Sequence, residues 1–351
     1  MIDRLFGLVS HDLGIDLGTA NTMVLVKNKG IAIREPSVVA RHRKSKEILA
    51  IGIKAKKMVG KTPAAIEAVR PLKNGVIADF EATEAMLAHY LRQVHQGGKL
   101  LPKLSRSKVV IGIPSGVTEV ERRAVQEASL AAGARKAFLI EEPMAAAIGA
   151  QLPVEAPEGL LIVDIGGGTT EIAVISLGGI VIDRCLRVAG DEMDRAIGAY
   201  MRLKYSLLLG EATTEEIKIQ LGSAYPLVEK ERKRQMVVRG RDIETGLPKS
   251  LKISSVEVRE ALAPVVSQIV EQLTGVIEET PPELVGDILK RGVALCGGVA
   301  LLRGLDKLIA DETKMPVWVV DDPMTAVVRG CGQVMEDEGL LNRVRVTGGL
   351  K

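Results

Sequence analysis

Two stretches decide the fold. The first is Gly14-Ile15-Asp16-Leu17-Gly18-Thr19-Ala20-Asn21-Thr22, running on into Met23-Val24-Leu25-Val26. The second is Leu161-Ile162-Val163-Asp164-Ile165-Gly166-Gly167-Gly168-Thr169-Thr170, running on into Glu171-Ile172-Ala173-Val174-Ile175. Each reads as a strand, a glycine-containing turn and a second strand. Asp164 matches Asp16 and Gly166 matches Gly18 at an offset of about 148 residues, far beyond the roughly 20–50 of solenoid repeats. The echo predicts two duplicated domains. The length of 351 residues agrees, since single cores stop growing near roughly 250–300 residues.

Strands and helices alternate around these stretches, which indicates an α/β fold. Val109 to Pro114 reads as a buried strand, Glu119 to Ala132 as a helix stopped at Gly133, and Ala137 to Ile140 as a short strand. Pro143 opens a helix through Ala150. Ser254 and Glu257 have capping-box spacing, and the helix they start runs to Glu279, before Pro281-Pro282. Residues near 34–76 and 193–257 read as smaller inserted subdomains. Their basic runs, among them Lys54, Lys56, Lys57 and Lys230-Glu231-Arg232-Lys233-Arg234, read as solvated surface.

Composition narrows the function. Apolar residues make up 46% and charged residues 26%, with a formal net charge of +3, so no strongly charged partner is implied. Aromatics are only 2%, which argues against nucleic acid as a partner, because single strands are held by aromatic stacking. Cys185, Cys296 and Cys331 form no CxxC pair, and the four histidines show no metal-ligand spacing. Sparse thiols and the lack of a signal-peptide pattern or a long apolar run make a cytoplasmic location the expectation.

The Asp-x-Gly hairpins carry the chemistry. Glycine lets the backbone turn sharply and approach a ligand, and successive N–H groups in such a turn hold phosphate oxygens. Thr19, Asn21 and Thr169 add side-chain donors. A carboxylate at the end of each first strand, Asp16 and Asp164, suits Mg²⁺ held through water. A third glycine element, Cys296-Gly297-Gly298-Val299-Ala300, reads either as a flat surface for a base or ribose or as a tight strand-to-helix turn.

The GIDLGTANT, VDIGGGTTE and LCGGVALLRGLD segments resemble the two phosphate motifs and the adenosine motif of the actin, sugar-kinase and heat-shock-chaperone ATPase superfamily. Arg34-Glu35-Pro36-Ser37, Gly60-Lys61-Thr62-Pro63, Gly75-Val76-Ile77-Ala78-Asp79, Phe138 to Ala147 and Ala189-Gly190-Asp191-Glu192-Met193-Asp194 are similar to the MreB branch of bacterial actins. That resemblance spans Gly14 to about Gly332 and implies an actin-like (ribonuclease H-like) duplicated ATPase fold. It places subdomain IA at 1–33, 77–156 and 327–351, IB at 34–76, IIA at 157–192 and 258–326, and IIB at 193–257.

It also implies roles. Asp16 and Asp164 would hold Mg²⁺, and Thr19, Ala20, Asn21, Gly167, Gly168 and Thr169 the phosphates of ATP, with GTP as the alternative. Glu215, Glu216, Ile217 and Lys218 would meet the ribose and adenine, a stretch that otherwise reads as an exposed charged helix turn. Cys296, Gly297, Gly298 and Val299 would face the adenosine, although the family pattern there is Thr-Gly-Gly-Gly-Ser, which leaves base preference open. Glu142 would orient or activate the attacking water with help from Thr169; the residue-level alternative is an acid stabilising a helix N-terminus.

The resemblance further implies self-assembly into filaments, cell-wall elongation partners such as RodZ and MreC, a role in rod shape and attachment to the inner face of the cytoplasmic membrane. Two segments suit such attachment. In Met1–Val9, Ile2, Leu5, Phe6, Leu8 and Val9 share an arc of about 160° at helical spacing. In Lys99-Leu100-Leu101-Pro102-Lys103-Leu104, apolar residues sit among basic ones. The competing reading of the first is packing onto the domain surface. A small-molecule kinase would need a general-base aspartate motif, which is not found. A chaperone would need a peptide-binding domain, for which a chain ending at Lys351 is not expected to have room. A nucleotide-stabilised scaffold without turnover stays open.

Overall fold

The computed structural model describes residues 11–95, 107–226 and 234–346. The membrane candidates Met1–Val9 and Lys99–Leu104 lie outside these residues. Two five-stranded sheets dominate. The first runs in the order Lys136–Glu141, Lys108–Ile113, Leu13–Leu17, Asn21–Val26, Gly30–Pro36. The second runs Gly179–Leu186, Thr170–Ser176, Leu160–Ile165, Val293–Cys296, Val317–Val319. Each is a three-strand antiparallel meander extended by two parallel strands. The duplication seen in two loops is therefore a duplication of whole sheets.

Burial explains the strand sequences. Leu160–Ile165 and Thr170–Ser176 are buried at every position, so they read as continuous apolar runs rather than alternating ones. The first strand of each half aligns its aspartate with a parallel neighbour, Asp16 with Gly112 and Asp164 with Cys296. The Ser254–Glu257 capping box closes and opens Ser255–Glu279, and the structure adds a second box, Thr118 with Glu121, at the start of Glu119–Ala131.

The halves join through two helices, Glu142–Gly149 and Ala326–Glu336. They pack at backbone distance. A β-carbon on Gly149 would lie 1.9 Å from the Ala326 carbonyl oxygen, and one on Gly330 would lie 1.8 Å from that of Ala145. Around them a shared apolar core takes Val110 and Ile140 from one sheet and Ile162, Ala173, Ala294 and Cys296 from the other.

Smaller elements sit above the cleft. In 34–76 a three-stranded sheet orders Ile48–Ile51, Val39–His42 and Ile66–Val69. In 193–257 another orders Leu207–Leu208, Gln235–Asp242 and Pro248–Ser254. A tight hairpin, Leu72–Lys73 with Val76–Ile77, turns at Asn74-Gly75, both with positive φ, the pairing such a hairpin turn demands. Among the described residues no helix is long and apolar enough to cross a membrane.

Candidate functional site

A cleft of about 750 Å³ lies between the halves, lined by both Asp-x-Gly loops. The loops touch. A β-carbon on Gly167 would lie 2.5 Å from the Ala20 Cβ, and one on Gly168 would lie 2.5 Å from Thr19 Oγ1. Glycine at both positions is therefore what lets the halves close on each other. The hairpin tip joins them: Gly75 N–H donates to Thr19 Oγ1 at 2.9 Å, and the Gly75 α-carbon faces the Thr169 methyl group.

Asp16 and Asp164 end the two first strands at this junction. Burial first and Asp164 second push Asp16 up to about 8. Burial and then Glu171 push Asp164 up to about 7, against the lowering effect of the Cys296 thiol. No cation contributes to either. Two facing carboxylates without a positive partner fit a divalent cation. Among the described residues no group of three or more side chains forms a metal cluster, so phosphate oxygens and water would complete the shell of Mg²⁺.

Glu142 opens its helix from the cleft floor and is 8% exposed. Burial, then Glu171, Asp16 and Asp164 hold its carboxyl well above the usual carboxylate range. Thr169 is buried and lines the same cleft. Thr19, Ala20, Asn21, Gly167, Gly168, Gly297, Gly298 and Val299 all line the same cleft. Gly297 adopts φ 82°, and a β-carbon there would lie 2.4 Å from Asp164 Oδ1. Gly298 has open space before it.

Three sequence-predicted contacts do not reach the cleft. On the helix Glu211–Leu221, Glu215 and Lys218 line it, because residues three apart share a face. Ile217 points the other way into the core with no exposure, and Glu216 is exposed and accepts from Gln220 Nε2 at 3.0 Å. Cys296 is fully buried at a strand end, its thiol directed to the Val163 carbonyl at 3.6 Å. The linear motif marked these residues; the helical and strand periods turn them away.

Ion pairs cross the cleft that the sequence reading did not anticipate. Lys56 Nζ donates to Glu215 at 2.8 Å, and Arg70 Nη1 donates to both carboxylate oxygens of Asp191 at 2.9 and 3.0 Å. Lys218 donates to the Gly190 carbonyl at 2.8 Å and to Asp194 at 2.9 Å. Partners 159 and 121 residues apart left no local signal for the first two; the basic run over 54–57 was the only trace.

Comparisons with known proteins agree with this geometry. The family model described as MreB/Mbl protein matches residues 10–343. The cell shape-determining protein MreB of Escherichia coli (strain K12) is 50% identical over 340 residues, 96% of each chain. The cell shape-determining protein Mbl of Bacillus subtilis (strain 168) is 46% identical over 330 residues, covering 94% of this chain and 97% of that one. Among solved structures, MreB5 of Spiroplasma citri bound to ADP superposes with a TM-score of 0.88 at 39% identity, covering 95% of this chain and 98% of that chain. A MamK double helical filament shares the fold, with a TM-score of 0.76 at 21% identity over 93% of this chain and 99% of that chain. With the duplicated sheets, the touching Asp-x-Gly loops and matches of this extent, the chain belongs to the MreB/Mbl family and has its actin-like fold.

Proposed function

We propose that this protein binds and hydrolyses ATP with Mg²⁺ in the interdomain cleft and assembles into membrane-associated filaments that organise cell-wall synthesis and set rod shape. The observation that carries the nucleotide reading is the pair of glycine loops in contact around two facing aspartates that lack a cation. MreB5, at 39% and 38% identity, has been solved with ADP and with AMPPNP, which supports the same ligand class here.

The roles follow from chemistry. Thr19, Ala20, Asn21, Gly167, Gly168 and Thr169 would cradle the phosphates with N–H and hydroxyl donors. Asp16 and Asp164 would hold Mg²⁺, which when bound neutralises charge on the transferring phosphoryl group. Glu142 orients the attacking water, and its raised proton affinity suits it to take the proton that the water gives up. The Thr169 hydroxyl helps hold that water. Val299, 7% exposed on the cleft wall, supplies an apolar surface for the base, and ATP and GTP compete for it. To reach the ribose, Glu215 must release Lys56.

Filament formation, cell shape and attachment to the inner face of the membrane are inferred from the relatives. Relatives named cell shape-determining support the biological role, and the proposed partners are cell-wall elongation proteins such as RodZ and MreC. Weak membrane contacts by Met1–Val9 or Leu100-Leu101 would add up along a filament.

The test incubates purified protein with Mg-ATP or Mg-GTP and anionic vesicles, measuring phosphate release, pelletable polymer and vesicle binding together. Phosphate release with filaments on vesicles is the expected result. Failure to bind either nucleotide sinks the ATPase reading. Polymer without phosphate release favours a scaffold without turnover. Vesicle binding unaffected by deleting residues 1–9 and by Leu100→Ser/Leu101→Ser removes the membrane part.

A further inference from the structure

Behind the phosphate loops, the halves are clasped by a contact that neither loop contains. Glu171 is 1% exposed on the strand Thr170–Ser176. Its Oε2 accepts from Ser115 Oγ at 2.8 Å and from Ser115 N–H at 3.2 Å. Ser115 belongs to the other half, in the loop that follows the strand Lys108–Ile113. Closing this contact brings Gly116 against Cys185: a β-carbon on Gly116 would lie 3.0 Å from the Cys185 Cβ.

The two ends of the clasp sit next to the two groups assigned to the attacking water. Glu171 lies two residues beyond Thr169 on one continuous loop and strand. Ser115 lies two residues beyond Ile113, whose parallel register partner is Glu141, the residue before Glu142. A shift of Ser115 relative to Glu171 is therefore a shift of the Glu142-bearing element relative to Thr169. The remaining oxygen, Glu171 Oε1, is buried without a hydrogen-bond partner. A buried carboxylate oxygen in that state calls for a water or a donor. The Cys185 thiol stands beside it, since Cys185 is the register partner of Glu171 on the neighbouring antiparallel strand.

We propose that Glu171, held across the cleft by Ser115, is a positioning residue for hydrolysis: it fixes Glu142 relative to Thr169 when the halves close. The inference rests on the ATPase reading above and adds what ties closure to chemistry. A buried carboxylate with two donors from the opposite half is costly to leave unpaired, so the clasp forms only when the halves meet. Nucleotide binding uses the phosphate loops and the base side, and does not need it.

The experiment compares wild type, Ser115→Ala, Ser115→Thr and Glu171→Gln, measuring kcat and KM for phosphate release from Mg-ATP at fixed protein concentration, with a thermal melt for each. Ser115→Ala and Glu171→Gln are expected to lower kcat about tenfold or more while KM stays within about threefold, the split that loss of positioning gives. Ser115→Thr, which keeps both donors, restores kcat. A kcat within about twofold of wild type in both variants, or a raised KM with kcat unchanged, overturns the proposal. Should Glu171→Gln fail to fold, Ser115→Ala, which removes one oxygen, decides alone. Wild type that binds Mg-ATP but releases no phosphate fells the ATPase reading and this inference with it, whereas active wild type with indifferent variants fells only the inference.

Discussion

The two halves end their outer parallel strands in the same acidic turn. One reads Glu141-Glu142-Pro143-Met144 and the other Asp321-Asp322-Pro323-Met324. The registers match, because Ile140 pairs with Gly112 beside Asp16, while Val320 follows Val319 beside Leu295 and so flanks Cys296 beside Asp164. Their fates differ. Glu142 is buried and faces Glu171, Asp16 and Asp164. Asp322 is half exposed and pairs with Arg34 at 2.9 Å. Burial opposes ionisation of Asp322, but Thr325 and Arg34 outweigh it and hold its carboxyl below the usual range. Duplication thus supplies two acids in one structural position, and their neighbours leave one buried among carboxylates while the other tethers the halves.

The largest expected effect breaks that comparison if it fails. Glu142→Ala should keep ATP binding and lose phosphate release by about 100-fold or more, the range typical of a general base. Asp322→Ala should cost no more than about 1 kcal/mol, as an exposed ion pair does, and leave phosphate release within a few-fold. Equal losses in both variants would mean that the turns are not functionally distinct.

A smaller effect sharpens the junction between the halves. Gly149→Ala and Gly330→Ala each force a β-carbon onto a backbone carbonyl of the opposing helix. Backbone atoms cannot yield as a side-chain tip can, so each should cost about 3 kcal/mol or more, read by denaturant unfolding. Gly298→Ala, with open space before it, should stay within about 1 kcal/mol.

These glycines show what the sequence could reveal. The fold was legible because both Asp-x-Gly loops repeat with their flanking strands, and because the helix start at Ser254 is written within four residues. The acidic-turn repeat is hidden in the linear sequence, because its halves begin different helices and no glycine signature marks it. Glu215 and Lys218 were readable as one helical face, but a linear motif could not separate them from Ile217 and Glu216. Ser115, Arg70 and Lys56 were not legible as site residues, since their partners lie across the molecule and only folding brings them together.

The smallest effect concerns the aspartates themselves. Asp164 has the Cys296 thiol as a neighbour, whereas Asp16 has Gly112, which offers no side chain. Both carboxyls sit above their ordinary range because the fold disfavours their charge. A raised folded value means that the folded state holds protons the unfolded chain has lost. The associated stability is present below about pH 4 and is lost as pH rises toward about 7 to 8. Without Mg²⁺ the protein should therefore melt at progressively lower temperature across that window. On the proposed reading Mg²⁺ would bind the ionised pair and displace those protons, so its affinity should climb with pH by up to about tenfold per unit for each proton released. Thermal melts with and without Mg²⁺, at about pH 6 and about pH 9, read the difference. Asp16→Asn should flatten it most, since Asp16 has the higher value and no neighbouring donor. Cys296→Ala should only move its midpoint upward, because the thiol lowers Asp164 alone. A magnesium shift independent of pH would mean that the two aspartates are not where the cation binds.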